Sequence, residues 1–108
     1  MANNGGIGMK AYIIAHIETK DLEAMKQYRE KVFDIVSNHG GKYLVRGGEM
    51  KSLEGDFFQH RLVIIEFPSL NSAKGFYESV EYQPLLKLRI ESGISNSALV
   101  QGTWFDKE

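Results

Sequence analysis

The chain has 108 residues, 13 lysines and arginines against 14 acidic residues, a formal net charge of -1, and 43% hydrophobic and 25% charged residues; this is the composition of one ordinary globular domain. A near-neutral balance without a lysine or arginine cluster lacks the basic footprint that nucleic acid or an anionic membrane rewards, so neither partner is expected. The absence of cysteine excludes disulfides, thiolate nucleophiles and cysteine-bound metal and fits a reducing cytoplasm, while the longest apolar run, Leu62 to Ile65, is far too short to span a bilayer.

Residues 1 to 8 are small, polar and glycine-rich and are expected as a flexible extension, with residues 9 to 108 forming a single domain and Met9 offering a natural start. The amino-terminal stretch has no apolar signal core. Lys10 to Glu18 alternates cleanly and predicts a first strand. Asp21 can cap a helix running to about Asn38, with Leu22, Met25, Tyr28, Arg29, Val32, Phe33 and Val36 at helical spacing, and Gly40 can supply its left-handed stop.

Lys42 to Arg46 and Arg61 to Phe67 predict the second and third strands, joined by a long arm from Glu49 to His60. Pro68 ends the ladder. Ser69 or Asn71 caps a second helical region whose buried stripe is Leu70, Ala73, Phe76, Tyr77 and Val80, and Tyr82 to Glu91 adds further helix. Asn96 to Gln101 closes as a fourth strand, followed by a tail from Thr103 to Glu108 with Trp104 and Phe105.

The order βαββαβ is the split βαβ pattern of a ferredoxin-like α+β fold, a four-stranded antiparallel sheet with its helices on one face. Alternation assigns Ala11, Ile13, Ala15, Ile17, Tyr43, Val45, Val63, Ile65 and Phe67 to the helix side. The other face then carries Tyr12, Ile14, His16, Leu44, Arg46, Leu62, Ile64 and Glu66, five of them aliphatic or aromatic. An antiparallel sheet covered on one side should be polar on the other, so a second copy of the same sheet is expected to cover this one.

Tyr12 to Asp21, Gly40-Gly41, Arg46-Gly47-Gly48, Leu53-Glu54-Gly55, Arg61, Glu66-Phe67-Pro68-Ser69, Phe76-Tyr77 and Glu81-Tyr82 together resemble domain-of-unknown-function family 1330 of the dimeric α/β barrel superfamily, over about Met9 to Gly102. The resemblance implies a homodimer joined through the open sheet face. Superfamily relatives include cofactor-independent monooxygenases, haem-degrading enzymes, muconolactone-type isomerases and ligand-sensing domains, so the fold by itself selects no reaction.

His16 and Glu66 are the candidate catalytic pair, read as lying at the same end of adjacent, parallel strands one and three and both facing the partner; a histidine beside a carboxylate in an apolar cavity suits proton transfer. The competing reading is a buried pair that fixes dimer register. Arg46, at the other end of that face, could grip a ligand carboxylate while Gly47 and Gly48 allow close backbone approach; alternatively it pairs with Glu54 or a partner carboxylate and the glycines mark a bend. Among Tyr12, Tyr43, Tyr77 and Tyr82, the face assignment makes Tyr12 the better pocket residue and places Tyr43 and Tyr77 in the core.

His16, His39 and His60 have no metal-ligand spacing, and no phosphate-binding loop or nucleophile elbow is present. No cofactor is expected, nor any protein-built metal site. Two functions remain open: a cofactor-independent oxygenase or isomerase of a small aromatic or lactone-like metabolite, and a non-catalytic module that binds a small molecule or assembles.

Overall fold

In a computed structural model that describes residues 9–57 and 60–103, the chain runs β1 (Ala11–Thr19), α1 (Leu22–Asn38), β2 (Lys42–Arg46), β3 (Arg61–Phe67), α2 (Leu70–Glu78), α3 (Gln83–Glu91) and β4 (Gly93–Gln101). The strands form one antiparallel sheet in the order β2-β3-β1-β4. This is the expected ferredoxin-like arrangement. The expected extension at residues 1 to 8 and the tail residues Trp104 and Phe105 lie outside the described residues.

Local signals place the helices. The Asp21 side chain accepts from the Ala24 amide at 3.0 Å and opens α1, and Gly40, at φ 81°, turns the chain out of it with its amide donating to the Ser37 carbonyl at 3.0 Å. Met25, Val32 and Val36 form the buried stripe of α1. Leu22 and Phe33, assigned to that stripe by spacing, are exposed. Ser69, and not Asn71, caps α2, accepting from the Ser72 amide at 3.0 Å.

The second helical region divides where continuous packing was expected. Ser79 takes an extended ψ of 150° and its hydroxyl donates to the Phe76 carbonyl at 2.8 Å, which takes the chain off the α2 axis. Val80 consequently swings to 86% exposure, and Tyr82, at 2%, fills the core position instead. Phe67, Phe76 and Tyr82 stack in sequence, with ring centroids 5.5 and 4.4 Å apart, and join β3 to α2 and the start of α3. Pro84 near the start of α3 suits the first helical turn, where its missing amide costs no hydrogen bond.

Sheet register decides which side chains meet. Ala11, Ile13, Ala15 and Ile17 of β1 and Ile65 and Phe67 of β3 are buried beneath the helices. β1 and β3 pair antiparallel, with Tyr12 opposite Glu66 and His16 opposite Leu62, which corrects the parallel reading. The β2–β3 connection reverses the chain, so β3 enters the sheet against β1.

β2 holds a second correction. Tyr43 lies opposite Ile65, Val45 opposite Ile64 and Arg46 opposite Val63, so Leu44 is an extra residue and the alternation slips by one. Val45 therefore moves to the open face and Arg46 to the helix side. β4 begins at Gly93, earlier than Asn96, because it pairs with β1 along its whole length from Thr19 to Ala11.

The cap assignment is directly testable. Ser69→Ala should lower stability by about 1 kcal/mol, whereas Asn71→Ala, exposed within the first turn, should change it by less than about 0.5 kcal/mol. Denaturant titration of the two variants would show the difference.

Candidate functional site

The open face of the sheet does not assemble the four residues expected to share a site. Tyr12 donates to Glu66 Oε2 at 3.3 Å, and Lys10 lies 3.5 Å from Glu66 Oε1. His16 sits four residues along β1 from Tyr12, about 13 Å at the usual strand rise, at the other end of this face. Arg46 is on the far side of the sheet. The pair His16 and Glu66 is thus separated, and the face carries Ile14, Val45, Leu62, Ile64, Ala98 and Val100, with Lys42 opposite Glu66 and Asn96 opposite His16.

The helix side presents a different constellation. A cavity lies between the helices and the sheet, lined on the sheet by Ile13, Ala15, Ile17, Val63 and Ile65 and from above by Met25, Val32 and Phe76. Its enclosed volume is about 40 Å³, several times the ~10–15 Å³ that one water requires. Ile13, Tyr77 and Ser97 also line an adjoining vestibule of about 350 Å³ beside β4. Together the two have the size of an ordinary small-molecule site, roughly 300–1,000 Å³.

The polar lining is selective. The chain contains four arginines, Arg29, Arg46, Arg61 and Arg89, and all four line this cavity; none of the described lysines does. Four of the five tyrosines, Tyr28, Tyr43, Tyr77 and Tyr82, line it too. Tyr43, read as core from strand alternation, and Tyr77, read as core from its helical stripe, pack against the core as expected and also line the cavity, whereas Tyr12 does not. No aspartate, glutamate or histidine is in the lining.

The bulge and a glycine build the cationic end. Arg46 donates from Nη2 to the Arg29 carbonyl at 2.9 Å and lies over the rings of Tyr43 and Phe33, 4.3 and 5.7 Å from their centroids. Among the described residues it pairs with neither Glu54 nor any other carboxylate. Gly47, at φ 76°, donates its amide to the Leu62 carbonyl at 2.8 Å. A Cβ there would overlap the Arg61 guanidinium, so the absent side chain makes room for Arg61. Burial, and then the neighbouring cations Arg29 and Arg46, push Arg61 below the usual guanidinium value. It remains charged at neutral pH.

Arg89 is the innermost cation. It is 5% exposed, 6.0 Å from the Tyr28 ring centroid, and its Nε and Nη1 have no hydrogen-bond partner among the described residues. Desolvation lowers its pKa, but the oxygens of Tyr82 and Tyr28 outweigh that and hold it above the ordinary value. The two tyrosine hydroxyls bond to each other at 2.7 Å.

The four arginines are scattered along the sequence, and only the fold gathers positions 29, 46, 61 and 89. The profile of a family described as a domain of unknown function (DUF1330) matches residues 10–103. The chain belongs to the DUF1330 family.

No curated protein matches the DUF1330 chain. Solved structures share its fold. A protein of unknown function from Rhodopseudomonas palustris superposes with a TM-score of 0.69 at 18% identity, covering 88% of this chain and 82% of its own. A dimeric ferredoxin-like protein of unknown function from Jannaschia sp. CCS1 gives 0.60 at 12%, with 84% and 97% covered. SnoaB, a cofactor-independent oxygenase from Streptomyces nogalater, gives 0.57 at 8%, with 93% and 97% covered.

Burial raises the Tyr28 pKa far above its usual value of about 10, with Tyr82 adding to the shift, so the folded state keeps a proton that the unfolded chain loses. The associated stability is complete below pH ~10 and falls as pH rises beyond it, by about 1.4 kcal/mol per pH unit while only the unfolded chain ionises. Tyr28→Phe should therefore reduce the steepness of alkaline destabilisation. Thermal midpoints between pH 9 and 11 would measure it.

Proposed function

We propose that this DUF1330 protein binds a small organic molecule in the cavity between its helices and its sheet, and that the open face of the sheet serves assembly as a homodimer. The observation that carries the first part is Arg89, a buried cation whose Nε and Nη1 have no hydrogen-bond partner among the described residues and whose surrounding lining holds no described carboxylate. A structural arginine normally brings its carboxylate with it, because an unpaired buried charge is costly. The second part is supported by the apolar sheet face, by Leu53, 94% exposed on the arm after β2, and by the dimeric ferredoxin-like protein of Jannaschia sp. CCS1.

Tyr12, His16 and Glu66 then belong to the assembly face, where the Tyr12–Glu66 bond and the Lys10 pair fix side-chain positions across β1 and β3. Arg46 belongs to the ligand cavity, and Gly47 serves it by leaving room for Arg61; Gly48 is not in the lining.

A second reading, a cofactor-independent oxygenase or isomerase, is favoured by the shared fold of SnoaB, itself a cofactor-independent oxygenase. The cavity limits what such chemistry could use. Its lining has no carboxylate or histidine, and burial raises both Tyr28 and Tyr43, so neither phenol accepts a proton at neutral pH. A substrate would have to enter already ionised and be stabilised by the arginines. Binding without turnover needs no such supply, and is the reading the geometry supports best.

Two outcomes follow. Light scattering should give a dimer at micromolar concentration, with an interface above ~1,000 Å²; a monomer mass would remove the assembly role. In a thermal-shift screen of small aromatic molecules, any binder should be lost in Ser97→Trp, which fills the junction of cavity and vestibule from an exposed position on β4. It should survive in Glu66→Gln, which should instead weaken the dimer. Binding that persists in Ser97→Trp and disappears in an intact Glu66→Gln dimer would move the site to the open face.

A further inference from the structure

We infer that the cavity is built for a small organic anion of the aromatic carboxylate class, with its charged group against Arg89 and its body extending past Tyr77 toward the vestibule. This rests on the cavity being the binding site, and deepens that reading by naming what it selects. All four arginines face this inner cavity, and among the described residues no lysine and no acidic side chain lines it, while Lys74 and Glu78 line the vestibule. The described residues supply no salt bridge to any of the four. Burial, and then repulsion from Arg29 and Arg46, lower the Arg61 pKa, and a bound anion would relieve that repulsion.

Arginine specifically, and not positive charge in general, points to a planar acceptor. The guanidinium holds its N–H groups in a rigid fork that matches a carboxylate, whereas an ammonium acts as a point charge. Arg89 presents Nε and Nη1 without acceptors at 5% exposure. The tyrosine hydroxyls beside it bond to each other at 2.7 Å, and Tyr82 also meets the guanidinium, which leaves Nε and Nη1 for an acceptor from outside.

The remaining lining decides between an organic and an inorganic anion. Ile13, Ala15, Ile17, Met25, Val32 and Phe76 surround the cations, and a strongly hydrated phosphate dianion would have to shed water against them with few compensating contacts. A molecule with an apolar ring uses them. Tyr77 and Ile13 continue the apolar wall into the vestibule with Leu99, which Lys74 and Glu78 also line, and this gives the ring a place once the carboxylate occupies the narrow inner cavity. With no carboxylate or histidine among the described residues of the inner cavity, a ligand whose charged group sits there enters already ionised, as a carboxylate is at neutral pH.

The test uses the full chain with three probes, benzoate, its neutral isostere benzamide, and inorganic phosphate, followed by calorimetry and thermal melting. Benzoate should bind at millimolar concentration or below, with benzamide and phosphate at least tenfold weaker. Arg89→Met should weaken benzoate at least tenfold, leave benzamide unchanged, and melt no lower than the wild type, since it removes an unsatisfied buried charge; Arg89→Lys should not restore binding. Should Arg89→Met fail to fold, Arg46→Met offers the same discrimination from the half-buried end of the cluster, with a severalfold loss for benzoate alone. Equal affinity for benzoate and benzamide, both lost in Ser97→Trp, would overturn anion selection and leave the cavity as the site. Phosphate binding more tightly than benzoate would overturn the organic class. If neither benzoate nor benzamide binds, the cavity reading falls with the proposal.

Discussion

A charged side chain can be brought beneath a helix layer only if the backbone turns it there, and in this DUF1330 protein that turn is the extra residue at Leu44. Regular alternation through β2 would put Val45 inside and Arg46 on the open face. The slip between Tyr43 and Val45 exchanges them. One inserted residue thus makes both surfaces more uniform: the open face gains an aliphatic side chain beside Ile64, and the cavity gains a cation that lies on Tyr43 and is anchored to the Arg29 carbonyl. Gly47 follows directly, since the space a side chain would take there is occupied by Arg61. β-Bulges are frequent where a strand must re-aim a functional group, and here the consequence of the bulge is a change of face.

The rest of the helix layer holds that arrangement rigid. The stacked rings of Phe67, Phe76 and Tyr82 fix α2 and the start of α3 to the sheet, and Tyr82 carries the bond to Tyr28 of α1 across the top of the cavity. Three helices are therefore tied together at the site by one buried phenol. The charged lining sits next to the best-packed part of the core. A cation cluster placed there works against stability in the free protein, and the adjoining aromatic stack is what allows the fold to tolerate it.

Much of the fold was legible in the sequence because local chemistry set it. Asp21, Gly40, Pro68 and Ser69 mark boundaries through hydrogen bonds and backbone preferences that act within a few residues, and β2 and β3 span the ranges that alternation gives. The site was less legible, for reasons that can be named. Alternation has no memory of an inserted residue, so Val45 and Arg46, the two residues of β2 after Leu44, were assigned to the wrong face. Strand direction depends on the hairpin between β2 and β3, which separates His16 from Glu66 although both were correctly assigned to the open face. Val80 fits a helical stripe by spacing, but the Ser79 hydroxyl and an extended ψ end the helix before spacing can act. The gathering of Arg29, Arg46, Arg61 and Arg89 comes from two helices and two strands, and no window along the chain contains it.

The two faces of the sheet consequently ask different things of their polar residues. On the open face, Tyr12, Lys10 and Glu66 satisfy one another across neighbouring strands, a closed set that adds positional order to an apolar surface and needs nothing further. On the helix face, four cations share a lining without a described carboxylate, and the deepest of them keeps Nε and Nη1 without a partner among the described residues. Buried polar groups with local partners are the common product of folding, while a buried charge without one is retained only where something offsets its cost. That asymmetry, and not the presence of ionisable residues as such, separates a surface made for assembly from one made for a ligand. It also explains why a histidine and a glutamate, the residue types most often recruited for proton transfer, are the less informative pair in this chain, and why its four arginines carry the functional reading.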